Sequence, residues 1–286
     1  MRKLLFIVGP TATGKTGLGA FLAQKFSGEI ISADSRQVFK GMDIVTGKDR
    51  PAGVRLHGYD LVKPDEDFSV AHFVAFAQPA IEKIWRRGNL PLVVGGTGFW
   101  VKALTEPIDT IAVPADHHLR KKLEAFSAPK LLKLLKQLNP QKAASLNASD
   151  RLNPRRLIRA VEVATHLQGL SLKVEKPLAA DTLLIGLTAS LPVLDARVEK
   201  RVGQRLKSGA LQEWSRLKKK YRQDLPSMSA IGYRQLPDVN RWITAERQYL
   251  RRQLTWFKKV KEIAWFDVSS KNFRAKVETR VKAWYT

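Results

Sequence analysis

Gly9-Pro10-Thr11-Ala12-Thr13-Gly14-Lys15-Thr16 follows directly on the apolar run Leu4-Leu5-Phe6-Ile7-Val8. This is the G-x-x-x-x-G-K-[ST] spacing of a phosphate-binding loop, with a buried-strand pattern before it and a helix pattern after it. The backbone N–H groups of such a loop and the following helix N-terminus cradle phosphate oxygens. Lys15 adds a positive charge, and the Thr16 hydroxyl suits a Mg²⁺ ligand. The loop predicts a bound di- or triphosphate and leaves open whether it is that of ATP.

The composition is that of a globular protein without cysteine chemistry. The chain has 286 residues, 44% of them hydrophobic, and no cysteine, which excludes disulfides, thiolate metal sites and a cysteine nucleophile. The first apolar run is too short for a signal peptide, and no run approaches the roughly 18 residues of a membrane span. We therefore expect a cytoplasmic protein with no membrane partner.

The charge of the chain is unevenly distributed. Residues 1–112 carry 14 Lys and Arg against 11 Asp and Glu, a net charge of +3, whereas residues 113–286 carry 36 against 15, a net charge of +21. Such asymmetry favours a polyanionic partner such as a nucleic acid. Solubilising surface charge is the alternative, and composition alone leaves it open.

Short apolar runs alternate with helix patterns in the first part of the chain. Residues 4–8, 29–33 and 91–94 have the pattern of buried strands, and residues 15–26 and 70–87 have that of helices, the second with Ser69 as N-cap. This alternation predicts an α/β fold, a P-loop NTPase-like parallel sheet wrapped by helices.

The pattern changes after Pro114. Residues 119–126, 131–138 and 155–167 are helical, and a strand-like run at 182–187 then returns to the sheet. We therefore expect a helical insertion domain at residues 113–181 within a catalytic core formed by residues 1–112 and 182–286. Helices are also expected at residues 195–206, 211–221 and 244–263.

Three segments follow predicted strands and should meet at the carboxyl edge of the sheet: the phosphate loop, Asp34 and Thr97. Asp34 suits a Mg²⁺ ligand or a general base, although a turn cap is an equal alternative. The glycines around Thr97 predict that the backbone approaches a ligand closely, with a simple turn as the alternative. No acidic residue follows strand 92–94, which counts against an ATPase.

Two helices carry groups of arginines. Arg155, Arg156 and Arg159 could bind phosphates or stack on bases, although a solvated helix face is the commoner case. Arg197, Arg201 and Arg205 recur every four residues on one face, which repels itself unless an anion such as a diphosphate or an RNA backbone is bound there.

Five segments, residues 9–16, 31–44, 93–104, 231–235 and 252–257, resemble in order the signatures of the tRNA dimethylallyltransferases, also called Δ2-isopentenylpyrophosphate transferases. The resemblance spans nearly the whole chain. It implies a monomeric enzyme that uses Mg²⁺ and dimethylallyl diphosphate to prenylate N6 of the adenosine 3′ to the tRNA anticodon, releasing diphosphate. The chain departs from the family at Arg36, where an uncharged residue is usual, and is shorter between Gln235 and Arg252.

The resemblance also implies residue roles. Asp34 would be the general base, Thr97 would lie beside the reacting centre, and Lys15 would act on the leaving group. The diphosphate would be bound by Gly9, Pro10, Thr11, Ala12, Thr13, Gly14, Lys15, Thr16, Arg197 and Arg201, with Thr16 as the metal ligand. The insertion would grip the anticodon stem-loop, and tRNA would be bound by Asp34, Ser35, Arg36, Gln37, Thr97, Arg120, Arg155, Arg156, Leu157, Ile158, Arg159, Ser229, Gly232, Tyr233 and Arg234.

Three other functions fit parts of the sequence. The first 112 residues alone allow a small-metabolite kinase, but the basic later part and the missing acidic residue argue against it. A non-catalytic RNA-binding module would not need the intact loop or Asp34. A prenyltransferase acting on free adenine nucleotides would not need the long basic C-terminal part.

Overall fold

A single parallel sheet organises most of the chain. The computed structural model describes residues 1–167 and 178–286. Within them, six parallel strands lie in the order β3-β2-β4-β1-β5-β6. The strands are β1 (Lys3–Val8), β2 (Gly28–Ser32), β3 (Leu56–His57), β4 (Leu90–Val94), β5 (Asp181–Thr188) and β6 (Ile263–Asp267). The predicted α/β fold with a parallel sheet is confirmed.

Helices follow most of the strands. Those near the sheet are α1 (Lys15–Lys25), α2 (Val70–Arg86), α3 (Gly98–Thr105), α9 (Leu191–Lys207), α10 (Ala210–Lys220), α11 (Val239–Phe257) and α12 (Phe273–Tyr285). Those between α3 and β5 are α4 (His117–Leu123), α5 (Ala128–Leu138), α6 (Pro140–Ser145), α7 (Ala148–Arg151) and α8 (Pro154–His166), after a short 3-10 turn at Asp109–Ala112. None of the helices in the described ranges is long and apolar enough to cross a membrane.

β1 lies at the centre of the sheet, between β4 and β5. All residues from Leu4 to Val8 are buried, although successive side chains of a strand point to opposite faces. Leu5 and Ile7 pack in one core with residues of α1 and α12, so the alternate residues are covered on the other face. This double burial explains the continuous apolar run.

One prediction about the C-terminal part was wrong, and one helix there was not predicted. The helix expected at 244–263 ends at Phe257, and Ile263 begins β6, which pairs with β5. Gly186 of β5 gives Trp265 room, since a Cβ there would lie 2.7 Å from the indole ring. The pairing with a distant strand overrides the local helical pattern. The final helix, α12, was not predicted.

The chain divides into two compact units, Met1–Thr105 with Pro177–Thr286, and Glu106–Lys176. The expected insertion, residues 113–181, differs from the second unit by a few residues at each end, and its residues 168–177 lie outside the described ranges. Within the second unit, helices α4 to α8 enclose a core that includes Leu131, Leu135, Leu157 and Val161.

A buried carboxylate braces the second unit. Glu162 on α8 accepts bidentate hydrogen bonds from Arg120, both 2.8 Å long, and one from the Asp116 N–H at 2.7 Å. Arg159 also pairs with Glu162 and donates to the carbonyl oxygens of Thr110 and Val113. Burial alone would raise the pKa of Glu162, but the bonds from Arg120, Arg159 and the Asp116 N–H outweigh it and lower the pKa to about 2.

We expect Glu162→Gln to destabilise the protein at pH 7 and to weaken its sensitivity to acid. Because the folded-state pKa lies below the unfolded value, the stabilisation is present above about pH 4.5 and is lost as the pH falls toward 2. This loss is roughly 1–3 kcal/mol. Denaturant unfolding at several pH values measures it, with the exposed Glu124→Gln as control. Equal pH dependence in both variants would contradict the assignment.

Candidate active site

A cavity of about 600 Å³ lies in the first unit, at the carboxyl edge of the sheet. The segments after β1 and β2 line it because the ends of parallel strands share one edge. Segments from α9, α11 and the stretch before α11 complete its wall. The lining residues include Thr11, Ala12, Gly14, Lys15, Thr16, Asp34, Ser35, Arg36, Gln37, Arg201, Arg205, Ser229, Arg234, Glu246, Tyr249 and Gln253.

The phosphate loop has two parts with different tasks. Ala12, Gly14, Lys15 and Thr16 face the cavity, and Gly14 has a left-handed backbone with a φ of 84°. Gly9, Pro10 and Thr13 are absent from the cavity lining and shape the loop, and their binding of the diphosphate stays a prediction. A Cβ on Gly9 would lie 2.4 Å from the Leu187 carbonyl oxygen, and the Thr13 hydroxyl donates to the Pro10 carbonyl oxygen at 2.9 Å.

Lys15 is folded back onto its own loop. Its Nζ donates to the Pro10 carbonyl oxygen at 2.7 Å. Burial, reinforced by the nearby charge of Arg201, lowers the pKa of Lys15 to about 7, and Asp34 and Glu246 offset this only in part. A bound polyanion would favour the charged form of Lys15.

Two arginines of α9 share one buried carboxylate at the cavity wall. Arg205 Nη1 lies 3.2 Å from Glu246 Oε1, and Arg201 Nη2 lies 3.9 Å from the same oxygen. Trp242 Nε1 also donates to it. Burial and Arg201 lower the pKa of Arg205 to about 10, so Arg205 stays charged near neutral pH. Gly47 makes room for this arrangement, since a Cβ there would lie 2.0 Å from Arg205 Nη2.

The expectation that Arg197 binds the diphosphate is not supported by its position. Arg197 does not line the cavity, and its Nη2 donates to the Val268 carbonyl oxygen at 3.4 Å. An α-helix rises about 1.5 Å per residue, so Arg197 lies about 12 Å along α9 from Arg205. Spacing by four residues keeps the three side chains on one face, but of the three only Arg201 and Arg205 reach the cavity.

Asp34 combines the two interpretations that the sequence left open. Its Oδ1 accepts the Arg36 N–H at 2.9 Å, as in a turn cap, while the residue lines the cavity. Thr97 packs behind this loop. Its Oγ1 accepts the Ser35 N–H at 3.1 Å, and its side chain hydrogen-bonds with Tyr249. Thr97 therefore fixes the segment that carries Asp34, without lining the cavity itself.

The glycines around Thr97 make room for protein groups, and Gly95 and Gly96 also line the cavity, so the close approach of this backbone to a ligand stays a prediction. Added Cβ atoms on Gly95, Gly96 and Gly98 would lie 2.2 Å from the Ala33 carbonyl oxygen, 2.2 Å from Gln253 Nε2 and 2.1 Å from Trp256, respectively. The segment is thus packed against the loop after β2 and against α11.

Some residues before α11 line the cavity, and others support its wall. Ser229 and Arg234, both predicted to bind tRNA, line the cavity. Tyr233 is buried and donates its hydroxyl to Glu213, whose carboxylate also accepts three backbone N–H groups of residues 43–45. Gly232 lies against Val45, with a φ of 95°. Tyr233 and Gly232 therefore fix the cavity wall, and their contact with tRNA stays a prediction.

The residues predicted to bind tRNA in the second unit have three different environments. Leu157 and Ile158 are buried in its core, so their side chains are packing groups. Arg120 and Arg159 hold Glu162. Arg155 and Arg156 are exposed, and Arg156 pairs with Asp150.

Three residues that line the site were not predicted from the sequence: Glu246, Tyr249 and Gln253. All three are on α11 and line the cavity. Glu246 and Gln253 fall on the buried stripe of this helix with Trp242 and Leu250. A charged or amide side chain on an apolar stripe needs a buried partner, and this was the available signal in the sequence.

The loop, the basic side chains and the carboxylate are those of a P-loop protein with a cavity suited to a phosphorylated ligand. The sequence model of the family described as IPP transferase matches residues 37–260. The tRNA dimethylallyltransferase of Halalkalibacterium halodurans is 37% identical over 96% of this chain and 94% of its own length. That of Symbiobacterium thermophilum is 38% identical over 95% and 91%.

Solved structures agree with the sequence comparison. The tRNA isopentenylpyrophosphate transferase from Bacillus halodurans superposes with a TM-score of 0.74 at 34% identity, covering 99% of this chain and 97% of that one. A eukaryotic dimethylallyltransferase acting on tRNA gives a TM-score of 0.80 at 27% identity, covering 99% and 79%. The chain belongs to the IPP transferase family.

We expect diphosphate binding at pH 8 to take up about one proton on Lys15, because a pKa near 7 leaves this amine mostly neutral before the anion binds. Calorimetry in two buffers of different ionisation enthalpy measures the uptake. Lys15→Arg is the control, since a guanidinium stays charged at this pH. Equal proton uptake by both proteins would contradict the expectation.

Proposed function

We propose that this chain transfers the dimethylallyl group of dimethylallyl diphosphate to N6 of the adenosine 3′ to the anticodon of tRNA and releases diphosphate. The observation that carries the proposal is the convergence of the phosphate loop, Arg201, Arg205 and Asp34 on one cavity. A reaction between a diphosphate ester and a weakly nucleophilic acceptor needs basic groups for the diphosphate beside a carboxylate for the acceptor. Membership of the IPP transferase family supports the same reaction.

The basic side of the cavity suits the leaving group. As the bond between C1 of the prenyl group and the diphosphate oxygen breaks, negative charge grows on the diphosphate. Lys15, Arg201 and Arg205 line the cavity where this charge would develop. Fixed positive charges and backbone N–H groups stabilise such charge without reorganising during the reaction.

Asp34 suits the acceptor. The N6 lone pair of adenine is delocalised into the ring, so the amine is a poor nucleophile. A carboxylate that accepts the N6 proton as the N6–C1 bond forms makes the attack more favourable. The Arg36 N–H holds Asp34 Oδ1, which fixes the position of this carboxylate at the end of β2.

Magnesium fits the oxygen ligands of the cavity. The described residues contain no group of three or more His, Cys, Asp or Glu side chains that could hold a metal alone. Mg²⁺ commonly binds one or two protein oxygens together with substrate phosphates and water. Thr16 would hold the ion, which would neutralise charge on the diphosphate.

The acceptor adenine must leave the anticodon-loop stack to reach a cavity of this kind. Ser35, Arg36, Ser229 and Arg234 line the cavity and would contact the extruded nucleotide. In the second unit, the exposed Arg155 and Arg156 would bind the RNA backbone. We propose that the enzyme acts as a cytoplasmic monomer.

The direct test supplies purified protein with labelled dimethylallyl diphosphate, Mg²⁺ and unmodified tRNA. Label should enter the tRNA at the adenosine 3′ to the anticodon, with release of diphosphate. Release of diphosphate without labelled tRNA would exclude the proposal. Label in free adenine nucleotides in place of tRNA would assign the chain to the nucleotide-prenylating class.

We expect Asp34→Asn to reduce prenyl transfer by about 10²-fold or more while tRNA binding is retained, because the amide keeps the size of the side chain but cannot accept the N6 proton. Single-turnover transfer and filter-binding of tRNA measure the two effects separately. Asp65→Asn removes the same charge from an exposed position and is the control. Equal losses of transfer and binding would make Asp34 a recognition residue.

A further inference from the structure

Gln253 is a buried side chain of α11 that connects two loops of the cavity. Its Oε1 accepts the Thr11 N–H at 2.8 Å, and its Nε2 donates to the Gly96 carbonyl oxygen at 2.9 Å. These partners fix the orientation of the amide, because a backbone N–H can only donate and a carbonyl oxygen can only accept. The side chain is 6% exposed, so it binds both partners away from bulk water.

This contact removes one donor from the phosphate loop. The N–H groups of a helix's first turn have no acceptor within the helix, so those at the start of α1 are available to an anion. Thr11 lies at the other end of the cavity-lining loop, and its N–H is already bound to Gln253. The loop therefore offers donors at its helical end and a satisfied N–H at its opposite end.

We propose that Gln253 is a specificity-determining residue that makes this phosphate loop select a diphosphate over a triphosphate. A third phosphate extending toward Thr11 would meet the amide oxygen of Gln253 in place of an N–H donor. An anionic oxygen there is repelled by this oxygen and gains no hydrogen bond in return.

Displacing Gln253 would carry its own penalty. The Gly96 carbonyl oxygen would lose its donor, and a buried carbonyl without a partner is unfavourable. The side chain is also closely packed, since a Cβ on Gly96 would lie 2.2 Å from its Nε2. A triphosphate therefore has to break two hydrogen bonds to reach one donor.

The inference rests on the proposed function, in which a prenyl diphosphate occupies the loop. Lys15, Arg201 and Arg205 attract polyanions by charge, and charge alone favours the more highly charged triphosphate. Discrimination against nucleoside triphosphates therefore needs an element that penalises the longer ligand. Gln253 has the position and the chemistry for this task.

The test compares the affinities of inorganic diphosphate and inorganic triphosphate for the full chain by calorimetry at fixed free Mg²⁺. The wild type should bind the diphosphate more tightly. Gln253→Ala frees the Thr11 N–H and should shift the ratio of the two affinities toward the triphosphate by about 10-fold or more. Thr255→Ala, an exposed position on the same helix, should keep the wild-type ratio.

An unchanged ratio in Gln253→Ala would overturn the inference, as would a wild type that binds the triphosphate equally well. Should Gln253→Ala fail to fold by circular dichroism, Gln253→Met keeps the side-chain length without the amide and should shift the ratio in the same direction. A wild type that binds neither anion would overturn the proposed function as well. Diphosphate binding with an unchanged ratio would overturn this inference alone.

Discussion

Buried polar side chains on α11 need hydrogen-bonding partners, and the bonds that they form hold the cavity together. Glu246 and Gln253 lie on the same buried stripe as Trp242 and Leu250. An unpaired carboxylate or amide in that environment would be strongly unfavourable, so each must bind a specific group. Glu246 draws in Arg205 of α9, and Gln253 binds the loop after β1 and the segment after β4. Elements that are far apart in sequence are thereby held around one cavity, and Gln253 from the C-terminal part of the chain fixes one end of the N-terminal phosphate loop.

The sequence allowed prediction of those features whose causes are local. The phosphate loop, α1 and the buried strands could be predicted because burial of β1 on both faces and the loop spacing leave contiguous patterns. The distinction between ligand-binding and structural residues could not be predicted in this way. Thr11 and Gln253 are 242 positions apart, and nothing near Thr11 indicates that its N–H is occupied. The helix predicted at 244–263 extends beyond the end of α11 for a similar reason. That end is set by the pairing of β6 with β5, a strand distant in sequence.

The glycines of the site illustrate how one residue type serves different constraints. Gly14 is needed for its left-handed backbone, and a Cβ there would meet no other atom within 4 Å. Gly9, Gly96 and Gly98 are instead needed for space, which Leu187, Gln253 and Trp256 occupy. A glycine-rich segment near a ligand site is therefore not by itself evidence that the backbone touches the ligand. In this protein the space that Gly9, Gly96 and Gly98 leave is filled by other parts of the protein.

Many of the arginines that contribute to the basic excess after residue 113 have partners within the protein. Arg120 and Arg159 hold Glu162, and on α11 Arg247 and Arg251 pair with Asp195. The net charge therefore overstates how much positive surface is available to an RNA. In the cavity the balance is reversed, because Glu246 is shared between Arg205 and Arg201 and the neighbouring Lys15 has a pKa lowered to about 7. The main cause of this lower pKa is burial, and the positive charge of Arg201 adds to it. An anion bound there would favour the charged form of Lys15 and would offset the repulsion between Lys15 and Arg201, so anion binding would be coupled to protonation of Lys15.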